Sequence, residues 1–418
     1  MSTFQIILLS IFGVFILVAV TIFAVSRGPS GGGPSVAVSV WGTVSAADFN
    51  AIQPIIKKKD EALTVNYREF REDTFDTELV EALASGTGPD LVLFTDSSIF
   101  RHLNKIAPIS FDVVSERDFR DAFVEEAELF RTEGGYIALP FAIDPLLMYW
   151  NRALFTDAGL ATPPRTWEEF LLLPERLTKR DKAGNIAQSA AALGEFRNIE
   201  NAKAILATLF LQAGSSVTGV SEGRIVASLG DETVSSLSFY SEFTNPVKPL
   251  YSWSRSLPEA RFQFLGGNLA VYFGFASELY PLRERNPNLN FDVTSVPEPE
   301  TGGRRGAYGK MFGLSIMRQT RDQGAALRAA LLLTGKDVSE AFAGAATLPP
   351  PRRDLLAKRQ TDAYGSVFYE AALRARGWRD PNDTETSHIF QKMVEDVTSG
   401  RARPSEAVRK AAEEINSL

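Results

Sequence analysis

The chain has 418 residues, 44% of them hydrophobic and 23% charged, a composition typical of a globular protein with two or three domain-sized units. The formal net charge is −7, so the sequence lacks the basic excess with which proteins bind nucleic acid. Cysteine is absent, which excludes disulfides, zinc-thiolate sites and a lipid-modified cysteine. The two histidines, His102 and His388, are too few to favour a histidine metal site or a conventional hydrolase triad.

The first 26 residues are strongly apolar. Residues 6–25 form a stretch of about 20 mostly apolar residues, long enough to cross a bilayer as a helix, and no charged side chain precedes Arg27. A cleavable signal peptide has a basic start and a shorter apolar core, although residues 24–26 resemble a weak cleavage site. We therefore predict an uncleaved transmembrane anchor over residues 1–26. The Gly- and Pro-rich composition that follows predicts a flexible linker over residues 27–35.

The next sixty residues alternate between two hydrophobic periods. Runs with the alternation or the apolar content of strands are separated by runs with helical spacing. This order is typical of a parallel sheet covered by helices, in which ligands bind at the carboxyl ends of the strands. The predicted elements are strands over residues 36–41, 63–70 and 90–94 and helices over residues 46–59 and 74–85.

Residues 139–170 hold the densest series of local signals in the chain. Residues 146–150 form a short apolar and aromatic run that favours a buried strand. Asn151 is a good N-cap for a helix over residues 152–158, and Gly159 suits the left-handed residue that ends such a helix. The segment is therefore predicted to pass from a strand directly into a capped helix.

The remainder of the chain gives weaker signals. Thr166 and Glu169 have the spacing of a capping box, and the residues from 168 to 245 are predicted to be mainly helical. Pro404 marks the start of a helix in a C-terminal region that is predicted to be helical to its end. The elements predicted between these regions are a loop over residues 246–256, strands over 269–275 and 312–317, and a helix over 324–334.

The motif series over residues 139–170 resembles the segment that crosses between lobes in the extracellular solute-binding proteins of ABC importers, family 1, the maltose-binding-protein-like group. Trp150 stands where that family usually has tyrosine. The resemblance covers nearly everything after the linker. Further matches follow in the family's order at residues 85–94, 266–271, 274–275, 296–299 and 400–407.

This resemblance implies an α/β, two-lobe periplasmic-binding-protein-like fold of type II, here preceded by one N-terminal transmembrane helix. The implied N-terminal lobe comprises residues 36–143 and 312–347. The implied C-terminal lobe comprises residues 144–311 and 348–418. A ligand would be held in the cleft between the lobes, which close around it.

Together with the anchor predicted from residues 6–25, the resemblance implies a membrane-anchored, extracytoplasmic solute-binding protein. It would capture a small organic ligand, with a carbohydrate expected, for the permease subunits of an ABC importer. A monomer is expected, without enzymatic activity, cofactor, metal or nucleic-acid partner. One alternative is a ligand-binding sensor or adaptor of the same fold. A surface hydrolase is disfavoured, because the sequence contains no dinucleotide loop, phosphate loop or nucleophile-elbow motif.

Three candidate ligand-binding residues follow predicted strands of the N-terminal lobe. Trp41 ends the first strand and would stack on the ligand, or else pack against the first helix. Asp96 and Ser97 follow the third strand and would bond ligand hydroxyls, although both residue types are also common helix caps.

Four further candidates lie at the crossover or in the C-terminal lobe. Asp144 interrupts an apolar stretch, and a carboxylate there needs a partner, either a ligand or the turn that it forms with the next proline. Trp253 lies in a proline-flanked loop and would cover the cleft or the lobe. Phe275 stands where many family members have a stacking tryptophan, which weakens the carbohydrate assignment. Tyr308 lies near the second predicted crossover.

Overall fold

The structure is a computed structural model that describes residues 35–418. The predicted anchor over residues 1–26 lies outside the described residues, as does the predicted linker apart from Ser35. Among the helices of residues 35–418, none is both long enough and apolar enough to span a bilayer.

The strands of the described region build one large mixed sheet and two small pairs. In the large sheet the strands follow the order β2-β1-β3-β14-β7-β12-β9-β8, while β13 also pairs with β7 and β4 with β14. The strands are β1 (Val36–Gly42), β2 (Leu63–Glu69), β3 (Leu91–Thr95), β4 (Ile106–Ala107), β5 (Arg131–Thr132), β6 (Gly135–Tyr136), β7 (Leu139–Asn151), β8 (Lys179–Arg180), β9 (Ile186–Ala191), β10 (Val217–Ser221), β11 (Arg224–Ser228), β12 (Leu269–Phe275), β13 (Phe291–Ser295) and β14 (Gly309–Met317).

Helices cover the sheet and complete both halves of the molecule. The α-helices are α1 (Ala46–Ala51), α2 (Gln53–Lys59), α3 (Phe75–Ala84), α4 (Glu116–Ala122), α5 (Arg152–Asp157), α6 (Trp167–Phe170), α7 (Leu173–Leu177), α8 (Ala202–Ala213), α9 (Asp231–Ser241), α10 (Ala260–Leu265), α11 (Leu279–Arg285), α12 (Gln323–Leu333), α13 (Lys336–Ala346), α14 (Arg353–Leu356), α15 (Ala363–Leu373), α16 (Asp383–Thr398) and α17 (Pro404–Asn416). The 3-10 helices are Ile99–Lys105, Glu125–Phe130, Glu242–Thr244 and Ala276–Glu278.

The first three strands confirm the α/β prediction, because β1 pairs in parallel with both β2 and β3. Strand β7 is longer than the predicted run over residues 146–150 and belongs to both halves of the sheet. Its first part pairs with β14, and its second part pairs with β12 and β13. A single thirteen-residue strand therefore connects the two halves of the protein.

Two separate hydrophobic cores lie on either side of this connection. One is formed mainly by residues 38–143 and 311–348 and belongs to the half called the N lobe. The other is formed mainly by residues 146–308 and 378–415 and belongs to the half called the C lobe. Ala372 and Ala375 pack in the N-lobe core, although they belong to residues 348–418, which were assigned to the implied C-terminal lobe. The chain after α14 thus contacts both lobes.

The prediction that residues 168–245 are mainly helical is wrong. Strand β9 lies in the large sheet beside β12, and β10 and β11 form an antiparallel hairpin. The turn of that hairpin is Glu222-Gly223, and both residues have positive φ, which is the conformation of a tight hairpin turn. The sequence feature that indicates this hairpin is therefore a two-residue turn between two short runs that contain β-branched residues.

The predicted helix caps at Asn151 and Thr166 are confirmed. The Asn151 side chain accepts hydrogen bonds from the backbone N–H groups of the first turn of α5, and Gly159 has the left-handed φ of +68°. Thr166 caps α6 as predicted. Glu169 bonds the backbone N–H of Arg165 rather than that of Thr166, so the capping box extends one residue further back. The predicted helix over residues 46–59 is divided at Ile52.

Candidate functional site

Two adjoining cavities lie between the lobes and together form the cleft. The first, called the central cavity, has a volume of about 220 Å³. The second, called the N-lobe cavity, has a volume of about 580 Å³ and includes Thr43 and Thr95, next to the carboxyl ends of β1 and β3. Both cavities are lined by Glu72, Ser97 and Asp383. The cleft therefore lies where an α/β sheet usually binds its ligand.

The central cavity is lined from both lobes by aromatic and charged side chains. Glu72 and Ser97 belong to the N lobe, and the other lining residues come from the C lobe and from β14. The lining residues are Glu72, Ser97, Glu200, Asn201, Lys203, Ala204, Ala207, Phe275, Tyr308, Lys310, Trp378, Asp380, Asp383 and Ser387. Such a set offers several hydrogen-bond donors and acceptors around a small apolar surface.

Phe275, the last residue of β12, lines this cavity from the C lobe. Its backbone is fixed twice, because the Tyr149 hydroxyl donates to its carbonyl at 2.7 Å and Glu278 accepts from its N–H at 2.9 Å. The Tyr308 ring meets the Phe275 ring edge-on at 6.3 Å. The Lys310 ammonium lies 5.1 Å from the Phe275 ring centroid, a cation–π distance.

Lys203 lines the central cavity and binds two of the carboxylates there. Its ammonium donates to Asp380 and Asp383 at 2.6 Å each and to the Thr386 hydroxyl at 2.7 Å. Asp380 is buried, and burial raises its pKa. The Lys203 ammonium also lies 5.5 Å from the centroid of the Trp378 ring. This network fixes the start of α16 and two of the carboxylates that line the cavity.

Asp96 is buried and is not among the residues that line either cavity. Its carboxylate accepts hydrogen bonds from the Tyr308 hydroxyl at 3.0 and 3.2 Å and from the Met311 backbone N–H at 3.2 Å. Burial raises its pKa to about 7, while the Tyr308 bond acts in the opposite direction. Ser97 lies beside it, lines both cavities and bonds the Thr95 hydroxyl at 3.0 Å.

Asp144 lies in the connecting strand, opposite Lys310 of β14. Its carboxylate is buried and accepts a hydrogen bond from the Ser277 backbone N–H at 3.0 Å. Burial raises its pKa to about 6, and the Ser277 hydrogen bond and the Lys310 charge act against that shift. Asp144 is not among the residues that line either cavity, so the structure places it behind the cleft wall.

Neither of the two predicted tryptophans is among the residues that line these cavities. Trp41 is half-buried, packs 4.5 Å from the Phe70 ring and is covered by the Arg68 guanidinium at 5.2 Å. Trp253 is fully buried in the C-lobe core, and its indole N–H donates to the Asn198 side chain at 3.1 Å. The proline-flanked loop thus covers the lobe, which was the alternative interpretation.

The structure brings Ser97, Phe275 and Tyr308 together but adds residues that the sequence interpretation missed. Lys203, Trp378, Asp380 and Asp383 line the cavity and come from regions without a proposed site. A usable signal existed at Trp378, because it stands between Gly377 and Pro381 in a short irregular segment. The same argument selected Trp253, so an aromatic residue in such a loop is equally compatible with a cavity and with a core.

Among residues 35–418, no group of three histidine or acidic side chains converges in a way that could hold a metal ion. The carboxylates that line the two cavities instead pair with basic side chains or accept hydrogen bonds from backbone N–H groups. Glu200, for example, accepts from the Arg261 backbone N–H at 3.1 Å.

Two α/β lobes, joined by a shared strand and enclosing a cavity that both of them line, define a two-lobe ligand-binding protein. Residues 43–338 match the family described as bacterial extracellular solute-binding protein, and the chain belongs to that family. Relatives include proteins of Brucella abortus (strain 2308) and Brucella suis biovar 1 (strain 1330) that are named as binding proteins. Each is 20% identical over 429 residues, covering 96% of this chain and 97% of the relative.

Solved structures agree with this fold over more than nine-tenths of the chain. A solute-binding protein of Thermotoga lettingae bound with α-D-tagatose has a TM-score of 0.69 at 21% identity and covers 92% of this chain and 99% of its own. A cyclo/maltodextrin-binding protein complexed with maltotetraose has a TM-score of 0.73 at 16% identity, with 93% and 98% covered. The maltose-maltodextrin-binding protein of Alicyclobacillus acidocaldarius has a TM-score of 0.68 at 14% identity, with 91% and 100% covered.

Proposed function

We propose that this protein captures a small carbohydrate between its lobes and delivers it to the permease of an ABC importer. The observation that carries the proposal is the central cavity, whose walls come from both lobes. Ser97 stands on one wall and Phe275 on the other. A ligand that touches both walls binds the closed form better than the open form and so shifts the protein towards closure.

The chemistry of the cavity supports a ligand rich in hydroxyl groups. Carboxylates of Glu72, Glu200 and Asp383 accept hydrogen bonds, and the amide of Asn201 and the ammonium of Lys310 donate them. Phe275 offers an apolar face against which a sugar ring can pack. Two of the solved relatives are bound with tagatose and with maltotetraose, which supports the same class of ligand here.

Among the predicted ligand-binding residues, we assign direct contact to Ser97, Phe275 and Tyr308, since these line the central cavity. Asp96 and Asp144 act from behind the wall, where they position Tyr308 and Lys310. The placements of Trp41 and Trp253 do not support a ligand contact. Binding without covalent chemistry is sufficient for this function.

The apolar stretch over residues 6–25 supports a further proposal, that the chain is held at the cell membrane with its lobes on the extracytoplasmic side. Fractionation of cells that express the full chain tests the anchor. We expect the protein in the membrane fraction after a carbonate wash. A variant that lacks residues 1–26 should appear in the soluble fraction, and equal distribution of both forms would exclude the anchor.

A ligand screen tests the binding function. The full chain in detergent is exposed to mono- and oligosaccharides while thermal unfolding and tryptophan fluorescence are followed. We expect at least one sugar to give a saturable rise in the unfolding temperature, because a ligand that binds only the folded state stabilises it. A folded protein that responds to no sugar in the panel would contradict the carbohydrate assignment.

A further inference from the structure

Two buried carboxyl groups lie close together beside Gly377, the neighbour of the cavity residue Trp378. Asp96 follows β3, and Glu126 belongs to the 3-10 helix Glu125–Phe130; their exposures are 1% and 4%. Both approach the same glycine, since a Cβ atom placed on Gly377 would lie 2.8 Å from Glu126 Oε1 and 3.4 Å from Asp96 Oδ2. These distances place the two carboxyl oxygens within about 6 Å of each other, close enough for strong repulsion in a buried site if both are ionised.

The two carboxyl groups differ in their partners. Asp96 accepts hydrogen bonds from the Tyr308 hydroxyl and the Met311 backbone N–H, so it is suited to carry a negative charge. Neither oxygen of Glu126 has a hydrogen-bond partner among residues 35–418, and both are buried. An ionised carboxylate in such a place is costly, and a neutral carboxyl group is the cheaper state.

Glycines on two neighbouring segments make room for the Glu126 carboxyl group. A Cβ atom on Gly309, at the start of β14, would lie 3.3 Å from Glu126 Oε2, and one on Gly377 would lie 2.8 Å from Oε1. The two segments are themselves joined, because the Gly309 N–H donates to the Arg376 carbonyl. The carboxyl group therefore lies against backbone that leads directly into the cavity residues Tyr308 and Trp378, and Glu126 also lines a separate cavity of about 590 Å³.

The charged groups around the pair do not neutralise it fully. Strand β14 presents Tyr308 and Lys310, and the Lys310 ammonium is shared with Glu72 at 3.3 Å. The segment after α15 presents Arg376, which is ion-paired with Glu125 at 2.6 Å. The same segment presents Asp380, which adds negative charge near Asp96. Asp383, at the start of α16, adds negative charge near Tyr308. Burial raises the pKa of Asp96 to about 7, and burial and Asp96 together raise that of Glu126 well above its ordinary value.

Asp96 is contacted from the other core. Asp96 and Glu126 belong to the N lobe, whereas Tyr308 and Trp378 pack in the C-lobe core. The Tyr308–Asp96 hydrogen bond therefore joins groups of the two lobes. We propose that closure of the lobes traps a proton on the Asp96–Glu126 pair, so that acid favours the closed form and alkali favours the open form.

The direction of the effect follows from proton linkage. Under the proposal, the open form hydrates both carboxyl groups, which then titrate near their ordinary pKa values of 3.8 and 4.5. The closed form holds its proton to higher pH, so its advantage is complete in acid and is lost as the pH rises through the closed-state range. Each proton that is taken up on closure changes the ratio of closed to open protein by at most about tenfold per pH unit.

The test measures closure directly and needs no ligand. Because the chain has no cysteine, Lys58→Cys in the N lobe and Lys410→Cys in the C lobe, both at exposed positions, provide two unique sites for a fluorescent donor and acceptor. Energy transfer in the full chain in detergent is followed from pH 5.0 to pH 8.5. We expect the closed-to-open ratio to fall by about tenfold or more with rising pH. In Glu126→Gln the fall should be smaller, since Gln cannot release a proton and only Asp96 of the pair remains to titrate.

Controls separate this role from general effects of charge and folding. Glu81→Gln, at an exposed position of α3, should follow the unaltered sequence. Circular dichroism reports whether Glu126→Gln folds. If Glu126→Gln does not fold, infrared spectra of the unaltered protein test the proposal instead. The proposal requires a protonated carboxyl band at pH 7, and the absence of that band overturns it. A ratio that is independent of pH, or that falls equally in Glu126→Gln, also overturns it. The proposal rests on lobe closure, whereas failure of the sugar screen would remove the proposed ligand alone.

Discussion

Lys310 Nζ lies 5.1 Å from the centroid of the Phe275 ring and 3.3 Å from Glu72 Oε1. One ammonium group thus joins the apolar surface of the C lobe to a carboxylate of the N lobe, across the cavity. A sugar ring that packs on the same face of Phe275 would take the place of this ammonium. Lys310 is therefore positioned to respond when the cavity fills.

Phe275→Ala should weaken carbohydrate binding by about tenfold, because contacts with an aromatic ring are worth about 0.5–1.5 kcal/mol beyond the area that they bury. Isothermal titration with the sugar identified in the screen measures the change. Phe262→Ala is the matched control, since Phe262 is 57% exposed and is not among the residues that line the cavity. An equal loss in both variants would show that Phe275 has no special role.

Lys203→Met should destabilise the protein by about 3 kcal/mol, because Asp380 would keep its buried carboxylate without a cation. Unfolding in urea measures the change in free energy. Lys392→Met removes a lysine whose partner, Glu414, lies at the surface, and it should have little effect. Similar losses in the two variants would mean that the buried network contributes no more than a surface ion pair.

The fold could be predicted from the sequence where local signals were strong. The cap at Asn151 and the left-handed Gly159 depend on interactions within a few residues, and both are present. Strand β9 could not be found in this way. This strand has only six residues and is rich in alanine. These residues form a strand because they pair with β12, about eighty residues away.

The site was harder to predict because burial depends on contacts that are distant in the sequence. Trp253 and Trp378 both lie in short irregular segments, yet only Trp378 lines the cavity. Trp253 is buried because its loop folds onto the C-lobe core, where Asn198 accepts its indole N–H. Sequence spacing does not contain the information that distinguishes these two outcomes.

Trp253→Phe should lower stability by about 1–3 kcal/mol, since it removes a buried hydrogen bond to Asn198 and leaves unfilled volume. It should leave the affinity for the sugar unchanged, because Trp253 does not reach the cleft. Urea unfolding and titration calorimetry on the same preparation measure both quantities. A large loss of affinity with unchanged stability would instead return Trp253 to the binding site.

Asp144→Asn should remove a pH-dependent loss of stability. The pKa of Asp144 is raised by burial from 3.8 to about 6, so the folded state binds its proton more tightly than the unfolded state. Its contribution is fully present below pH 4 and is lost as the pH rises through 6, by roughly 3 kcal/mol in total. Asn stays neutral, so this variant should gain stability relative to the unaltered protein as the pH rises from 4 to 7.5.

Urea unfolding at pH 4.0, 5.0, 6.0 and 7.5 measures that difference for Asp144→Asn. The comparison between the two proteins cancels the contributions of Asp96 and other groups that titrate in both. Asp112→Asn, at an exposed position of the N lobe, is the control and should show no such trend. Asn keeps an oxygen that accepts the Ser277 N–H, so the test isolates the charge. A difference that stays constant between pH 4.0 and 7.5 would mean that Asp144 titrates in the folded protein as it does in the unfolded chain.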